Sequence, residues 1–308
     1  MNNPAEQKVR EKVQHEVSEE VSGKAPDEEQ QSRLTVSVSI VSYRSPPEEL
    51  GESLDSLAGS LRQLKAGYPG SRAQVSLIDN NEGESLWPES MVPAREALSR
   101  IGSTLQLIHG HGNVGYGRGH NLAIRRATSQ YHLILNPDVV MEESCLRSGI
   151  DYLEANPGVA MVSPFAQSRD GSRQYLCKRH PSVLDFLVRG FLPAVFHRPF
   201  KGGLSRYEMH ELGEEVATTG IPIISGCFML CRTANLQELG GFDDNYFMYF
   251  EDFDLSLRMG KTGAIAYVPA MRIRHLGGNS AKKGFRHIAM FVRSGFRYFN
   301  TWGWRFIQ

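Results

Sequence analysis

The stretch Tyr131-His132-Leu133-Ile134-Leu135-Asn136-Pro137-Asp138 decides how the rest of the chain is read. Its first five residues suit the interior of a sheet. Pro137 has no N–H to give to a ladder, so a strand should stop before it. Asp138 then falls just past a carboxyl end, where open α/β sheets bind ligands. A carboxylate in that place can help hold a divalent metal on a substrate diphosphate. Taken alone, Asn-Pro-Asp is equally an ordinary turn. The flanking sequence has to decide.

Upstream, LTVSVSIVSY from Leu34 alternates and then thickens, which predicts a strand. Ser45-Pro46-Pro47-Glu48 has capping-box spacing with proline at the first helical position. Leu50, Leu54, Leu57, Leu61 and Leu64 give a helical stripe that Tyr68-Pro69-Gly70 ends. VSLIDNN is a second strand and ends in Asp79. A looser segment from Trp87 to Ser103 holds one short helical pattern, and Leu105 to Ile108 is a third strand. A glycine-rich loop and a helix through about Thr128 lead into the central strand.

Downstream, Glu142 to Ala155 reads as a helix with acids in its first turn. VAMVSP reads as a strand. This alternation predicts an α/β fold, a mostly parallel central sheet with helices on both faces. Residues 165–220 lose the pattern and are rich in Arg, His, Pro and aromatics. A long irregular insertion of this kind serves as a substrate lid or binding loop. IPIISGCFMLCR then reads as a strand, TANLQELGG as a short helix, EDFDLSLRMGKTG as a helix begun by acids, and GAIAYVP as a strand.

The 308 residues and 41% hydrophobic content suit one large α/β domain or two smaller ones. Cys145, Cys177, Cys227 and Cys231 are scattered and form no CxxC pair, which points to reduced cytosolic thiols. Cys227 and Cys231, four apart in an expected strand, should face the same way and pack. No apolar run reaches transmembrane length, and the N-terminus is too charged for a signal peptide.

The net charge of zero hides an asymmetry: residues 1–32 carry eight acids and four bases, and ten Lys or Arg but no acid follow Asp254. The first segment should be a disordered or marginally helical arm despite Val9, Val13, Val17 and Val21. The tail 280–308 sets Phe285, Ile288, Phe291 or Val292, Phe296, Phe299 and Trp302 near a 3.6 period among basic residues. Such a basic helix either lies in a membrane interface or packs its stripe on the domain. Nucleic-acid binding ranks lowest.

Three strand ends, at Ser42-Tyr43, Asp79-Asn80 and Asn136-Asp138, should lie along one sheet edge and form a crevice. Asp79 suits a base N–H or a ribose hydroxyl there. The loop from Asn113 through Gly119 to Asn121 lets backbone approach a nucleotide. It follows the third strand rather than the first, which argues against a dinucleotide fingerprint. Glu251, Asp252 and Asp254 exceed what helix capping needs, and one suits a general base. Asp252 and Asp254 should point to different faces, so only one should enter the crevice. His275 is either structural or completes a metal site with Asp138.

VSIVSY, IDNN, NVGYGRGHN, LILNPD, ISGCFMLCR, GGFDDNYFMYFEDFDLSLRMGKTG and the His-x-Gly-Gly-x-Ser at His275 to Ser280 occur in an order that resembles the inverting glycosyltransferases of family two. The resemblance covers Val36 to about Ser280 and is strongest to the rhamnosyltransferase-like branch. It implies a GT-A fold over 33–279, with Ser42, Tyr43, Asp79, Asn113, Gly119, Asn121 and Asn136 beside the donor nucleotide. It implies Mg²⁺ or Mn²⁺ at Asp138 and His275, with Asn136-Pro137-Asp138 replacing the usual Asp-x-Asp. Asn136 is neutral where many relatives carry an acid. Asp252 would be the base, with Glu251 and Asp254 on the acceptor side. Arg118 and Arg258 would offset diphosphate charge.

The implied donor is dTDP-L-rhamnose. The implied acceptor is a hydroxyl of a bacterial surface glycan or glycolipid such as lipopolysaccharide, met in the cytoplasm or at the cytoplasmic face of the inner membrane. The alternatives are a sugar-nucleotide nucleotidyltransferase, for which Arg44-Ser-Pro-Pro is a poor phosphate loop, and a non-catalytic glycan- or membrane-binding module.

Overall fold

The computed structural model describes residues 33–83, 91–186, 201–277 and 285–307. The expected arm 1–32, Trp87, Lys282 and Lys283 lie outside the described residues.

A ten-stranded sheet runs in the order β3-β2-β1-β4-β11-β6-β12-β5, with β7 on β6 and β9 on β12. Strands β1 (Thr35–Ser42), β2 (Arg72–Asp79), β3 (Thr104–Ile108) and β4 (Tyr131–Leu135) are mutually parallel. Strand β11 (Phe228–Arg232) runs antiparallel to β4 and to β6 (Val159–Ser168). Strand β12 (Ala264–His275) is parallel to β6. Strand β4 stops at Leu135, two residues before Pro137, as a residue without an N–H requires.

Helices cover both faces. On one side lie α1 (Pro47–Gly67), α2 (Val92–Arg100) and α4 (Cys145–Ala155). The leucine stripe of α1 is buried there with Val36, Val38 and Ile40 of β1. On the other side, α3 (Tyr116–Ile124), α6 (Thr233–Glu238) and α7 (Glu251–Met259) bury Ile124, Leu236, Leu255 and Met259 against Ile134, Met161 and Met229. On that same side the alternate residues of β1 are serines. Ser37 Oγ lies 2.6 Å from His132 Nδ1, Ser39 Oγ lies 2.8 Å from His132 Nε2, and Ser39 Oγ lies 2.7 Å from His120 Nδ1. Burial holds both imidazoles neutral, lowering His132 to about 3 and His120 well below its ordinary value.

Several local expectations are corrected. No side chain caps α1: its N-cap is Pro46, and Pro47 starts the helix where a missing N–H is harmless. Asp138 is followed by a short strand, β5 (Val139–Met141), so α4 begins only at Cys145 and has no acid in its first turn. IPIISGCFMLCR is two strands, β10 (Ile223–Ile224) and β11, separated by a turn. Cys227 sits in that turn. It therefore packs in the α1 cluster while Cys231 packs in the other, and all four thiols are free and buried. The irregular 165–220 segment contains the end of β6, then β7 (Arg173–Gln174), β8 (Cys177–Lys178), α5 (Lys201–Tyr207) and β9 (Thr218–Thr219).

A last helix, α8 (Phe285–Trp302), packs Phe291, Tyr298, Phe299 and Trp302 with Tyr246, Phe250 and Phe253 beside α7.

Candidate active site

A cavity of about 380 Å³ opens beyond the end of β4. It combines polar groups from Tyr116, Asn136, Ser225, Glu251, Asp252 and His275 with an aromatic wall that includes Phe186, Tyr249, Phe250, Phe253 and Phe291. Sequence distance between these groups is large, so specific devices bring them together.

The first device orients α7. Tyr249 (φ 70°) and Phe250 (φ 64°) are consecutive non-glycine residues in the left-handed region, each costing about 1 kcal/mol or more. The surroundings hold them there. Tyr116 N–H donates to Phe247 O at 3.0 Å, Ser294 Oγ donates to Met248 O at 2.8 Å, and the Phe250 ring is buried against Phe253, Phe291 and Tyr298. The kinked backbone delivers Glu251 and Asp252 to the cavity. Asp252 is further fixed by Gly226 N–H at 2.9 Å and Phe253 N–H at 3.0 Å. Tyr116 OH donates to Gly226 O at 2.6 Å, so Gly226 ties the glycine-rich loop to Asp252.

Burial raises the pKa of both carboxyls, and each anion opposes the other. The Gly226 and Phe253 N–H groups favour an ionised Asp252. Glu251, only 6% exposed and with no partner for Oε2, is pushed up to about 8. The pair therefore holds on to a proton more tightly than two free carboxyls would, and the two N–H groups on Asp252 favour its residing on Glu251.

A folded pKa of about 8 against an ordinary 4.5 means that the native state keeps a proton the unfolded chain has released. Stability should fall as pH rises between those values. Glu251→Gln should remove much of that fall. Its midpoint should match the parent near about pH 4 and exceed it by roughly 5 °C above about pH 8. Parallel melting curves for the two proteins across that range would sink the assignment.

The second device pairs Asp138 with His275. After a bulge between Val268 and Arg272, β12 pairs with β5, setting His275 opposite Val139. His275 Nε2 comes within 3.4 Å of Asp138 Oδ1. Gln174 Nε2 donates to His275 O at 3.3 Å, which leaves Gln174 Oε1 to accept from His275 Nδ1 at 2.9 Å. With Nδ1–H engaged by Gln174, Nε2 is the nitrogen that faces Asp138: its lone pair is turned there when the ring is neutral, and its N–H when the ring is charged. Burial disfavours the Asp138 anion, but a charged His275 and a hydrogen bond from Asn136 more than offset it, and its pKa then lies below the usual carboxylate value. Gly277 is required here, because a Cβ at that position would overlap Asp138 Oδ2.

The buried oxygens Asn136 Oδ1 and Asp138 Oδ1 accept no hydrogen bond from the protein. Together with His275 Nε2 they are donors of the kind that suit Mg²⁺ or Mn²⁺. No group of three or more His, Cys, Asp or Glu able to hold a metal occurs among the described residues. The set thus fits a cation whose remaining ligands come from a diphosphate and water.

The other anticipated residues divide. Ser42 and Asp79 face each other in the β1–β2 register and are buried, yet they belong to a second, smaller pocket with Pro47, Leu77 and Met91. The expected single pocket is therefore two cavities. Asp79 Oδ1 accepts from Asn81 N–H at 3.0 Å and from its amide at 2.6 Å. Tyr43 is exposed under the Arg44 guanidinium.

Four residues anticipated as ligand contacts hold the frame instead. Asn113 Oδ1 accepts from Gly115 N–H at 3.1 Å. Gly119 lies against Val41, with no room for a Cβ. Asn121 is fully buried and bonds Phe242 N–H, Phe242 O and Asp244. Asp254 accepts from Arg258 Nε at 2.7 Å and from Trp302 Nε1 at 3.0 Å. Arg258 also donates to Leu239 O and Gly241 O, and Arg118 to Asp244 O, so both arginines serve the scaffold rather than the cavity.

Tyr116, Ser225, Gly226 and Gln174 were not singled out from the sequence. Tyr116 lies inside the glycine-rich motif and Gly226 inside ISGCFMLCR, so both were findable. Gln174 lies in the unpatterned segment, where nothing marked it.

Comparison with known proteins bears on this architecture. Residues 37–240 match Glycosyl transferase family 2, a span that stops before Glu251. The rhamnosyltransferase WbbL of Escherichia coli K12 is 29% identical over 198 residues, covering 61% of this chain and 70% of that protein. An N-acetylglucosaminyl-diphospho-decaprenol L-rhamnosyltransferase of Mycobacterium tuberculosis is 29% identical over 177 residues, 53% of this chain and 56% of that one. The chain thus spans little more than half of the mycobacterial relative.

Among solved structures, GalNAc-T7 with UDP, GalNAc and Mn²⁺ superposes with a TM-score of 0.61 at 15% identity, covering 88% of this chain and 48% of that one. The Pyrobaculum calidifontis mannosyltransferase PcManGT with GDP-Man and Mn²⁺ gives 0.53 at 18% identity, over 90% and 66%. At such identities the superpositions speak for the fold. The matched span covers well over half of the sequence, and the chain belongs to glycosyl transferase family 2, as a rhamnosyltransferase-like glycosyltransferase.

Proposed function

We propose that the protein transfers L-rhamnose from dTDP-L-rhamnose to a hydroxyl of a bacterial surface glycan or glycolipid, with inversion at the anomeric carbon. The observation that carries this is the placement of Asp252: half-buried in the wall of the cavity, fixed by two backbone N–H groups, and set beside the buried Glu251 carboxyl. The two curated relatives are rhamnosyltransferases by name. One of those names specifies a lipid-linked diphospho-sugar acceptor.

In this reading Asp252 accepts the proton of the acceptor hydroxyl as its oxygen attacks the anomeric carbon. The bond from that carbon to the diphosphate oxygen breaks on the opposite face, and its electron pair leaves with dTDP. One displacement gives one inversion. Neutral Glu251 donates a hydrogen bond to the acceptor and adds no second negative charge beside Asp252. A divalent cation held by Asp138, His275 and Asn136 would offset the charge growing on the diphosphate. Asp79, in the second pocket, accepts from the thymine N–H or a ribose hydroxyl.

A thermal-shift panel of dTDP-, UDP- and GDP-sugars, each with and without Mn²⁺, tests the donor. A ligand at about one hundred times its Kd adds about 2.7 kcal/mol of apparent stability. For this chain that is a rise of several degrees. The largest rise should come with dTDP-L-rhamnose plus Mn²⁺, and release of dTDP should follow when a lipid-linked glycan is added. Stabilisation and release with a UDP- or GDP-sugar alone would replace the rhamnose assignment.

A further inference from the structure

Nine large apolar side chains stand exposed among the described residues, and six of them lie in the final segment: Ile288, Val292, Phe296, Trp304, Phe306 and Ile307, at 42% to 73% exposure. Ile288, Val292 and Phe296 recur every four residues, which puts them on one side of α8. The adjoining side of the helix is spent on the fold, through Phe291, Tyr298 and Trp302, and Phe299, a heptad beyond Val292, closes the stripe at its buried end. Trp304 continues the exposed stripe, with its ring 5.3 Å from Phe296 and stacked 5.2 Å from Phe299. The end of the chain is tied down as well: Val183 N–H donates to Arg305 O and Leu184 N–H to Phe306 O. The stripe is therefore presented by an anchored segment.

The charge around it has one sign. Arg286, Arg293 and Arg305 are exposed along the segment, and no acid follows Asp254. A second copy of this chain docking stripe to stripe would bring these arginines against themselves with no carboxylate from either segment to meet them. An anionic headgroup layer meets both the apolar stripe and the cations. No described helix is long and apolar enough to cross a membrane, so the fit is to a surface rather than a span. Phe291, next to Val292 on the adjoining side of the same helix, lines the main cavity, which sets the stripe within about one helix diameter, ~10 Å, of the site.

We propose that the outer face of α8 and the residues after it dock in the headgroup layer of an anionic lipid bilayer, with Ile288, Val292, Phe296 and Trp304 inserted and Arg286, Arg293 and Arg305 on the phosphates. The aromatic wall of the cavity then sits beside the membrane, where an acceptor carried on a lipid arrives. The docking itself does not depend on which sugar is transferred.

Co-sedimentation of the full chain with phosphatidylglycerol-containing vesicles and with pure phosphatidylcholine vesicles tests this. The parent should bind the anionic vesicles, weaken with added salt, and bind the neutral ones poorly. A triple variant, Ile288→Ser, Val292→Ser and Phe296→Ser, should lose about a hundredfold in partition while keeping the parent's melting midpoint, because all three side chains are exposed. Equal binding to neutral vesicles, or a variant that sediments like the parent, overturns the proposal. So does a parent that ignores both vesicles and is a dimer in sedimentation velocity that the triple variant dissociates. Vesicle partition is read without any donor, so its failure and failure of the rhamnose assignment are separable.

Discussion

Asp252→Asn should reduce turnover about a thousandfold while leaving donor affinity within a few fold of the parent. Loss of a positioned general base removes on the order of 10² to 10⁴ in rate. The asparagine keeps the size of the side chain and one acceptor oxygen. Its amide cannot accept from both Gly226 N–H and Phe253 N–H, which the carboxylate does at 2.9 and 3.0 Å. A stability loss of about 1 kcal/mol should accompany the change. Kinetics and donor titration on the same preparation separate these effects. A folded, donor-binding variant with near-parental turnover would move the base role elsewhere, and Glu251 would be the first place to look.

Gly115→Ala should be the most damaging single-methyl addition near the site. Gly115 has φ +91°, and a Cβ there would overlap the backbone oxygen of Phe247. That oxygen accepts from Tyr116 N–H and so clips the glycine-rich loop to the segment that aims α7. Left-handed strain and the forced backbone shift should together cost about 3 kcal/mol, or roughly 8 °C in midpoint. Activity should fall further than stability explains, because Asp252 would lose its aim. Gly171→Ala is the control: its φ is +81° and a Cβ there meets nothing within 4 Å. If the two variants lose the same stability and activity, the contact with Phe247 is irrelevant.

Periodicity made the sheet legible. The stripe of α1 and the apolar β4 obey repeats that any buried element must obey, and both lie where the sequence placed them. Asp252 and Asp254 were also expected on different faces, and Asp254 does turn away, to Arg258 and Trp302. What sequence could not supply was register across long separations. Asp138 meets His275 because β5 forms and β12 bulges, and neither leaves a periodic trace.

Glycines and asparagines near a ligand edge were ambiguous for a related reason. Gly119 and Asn121 do mark close approach, but what approaches is Val41 and the 242–244 backbone rather than a nucleotide. Asp79 lies on the predicted edge and opens onto its own pocket, because sharing an edge does not fix which hollow a side chain enters.

The Asp254 carboxylate has a consequence for engineering. Each of its oxygens holds a different element, one within α7 and one on α8, two residues from Asp252. The terminal helix is in effect bolted to the lever that carries the reactive carboxylate. A chimaera that swaps residues 285–307 for those of a distant relative, without its matching α7, would unseat that bolt and should show it as a shifted pH profile of turnover. Terminal segment and catalytic helix have to be exchanged as one cassette.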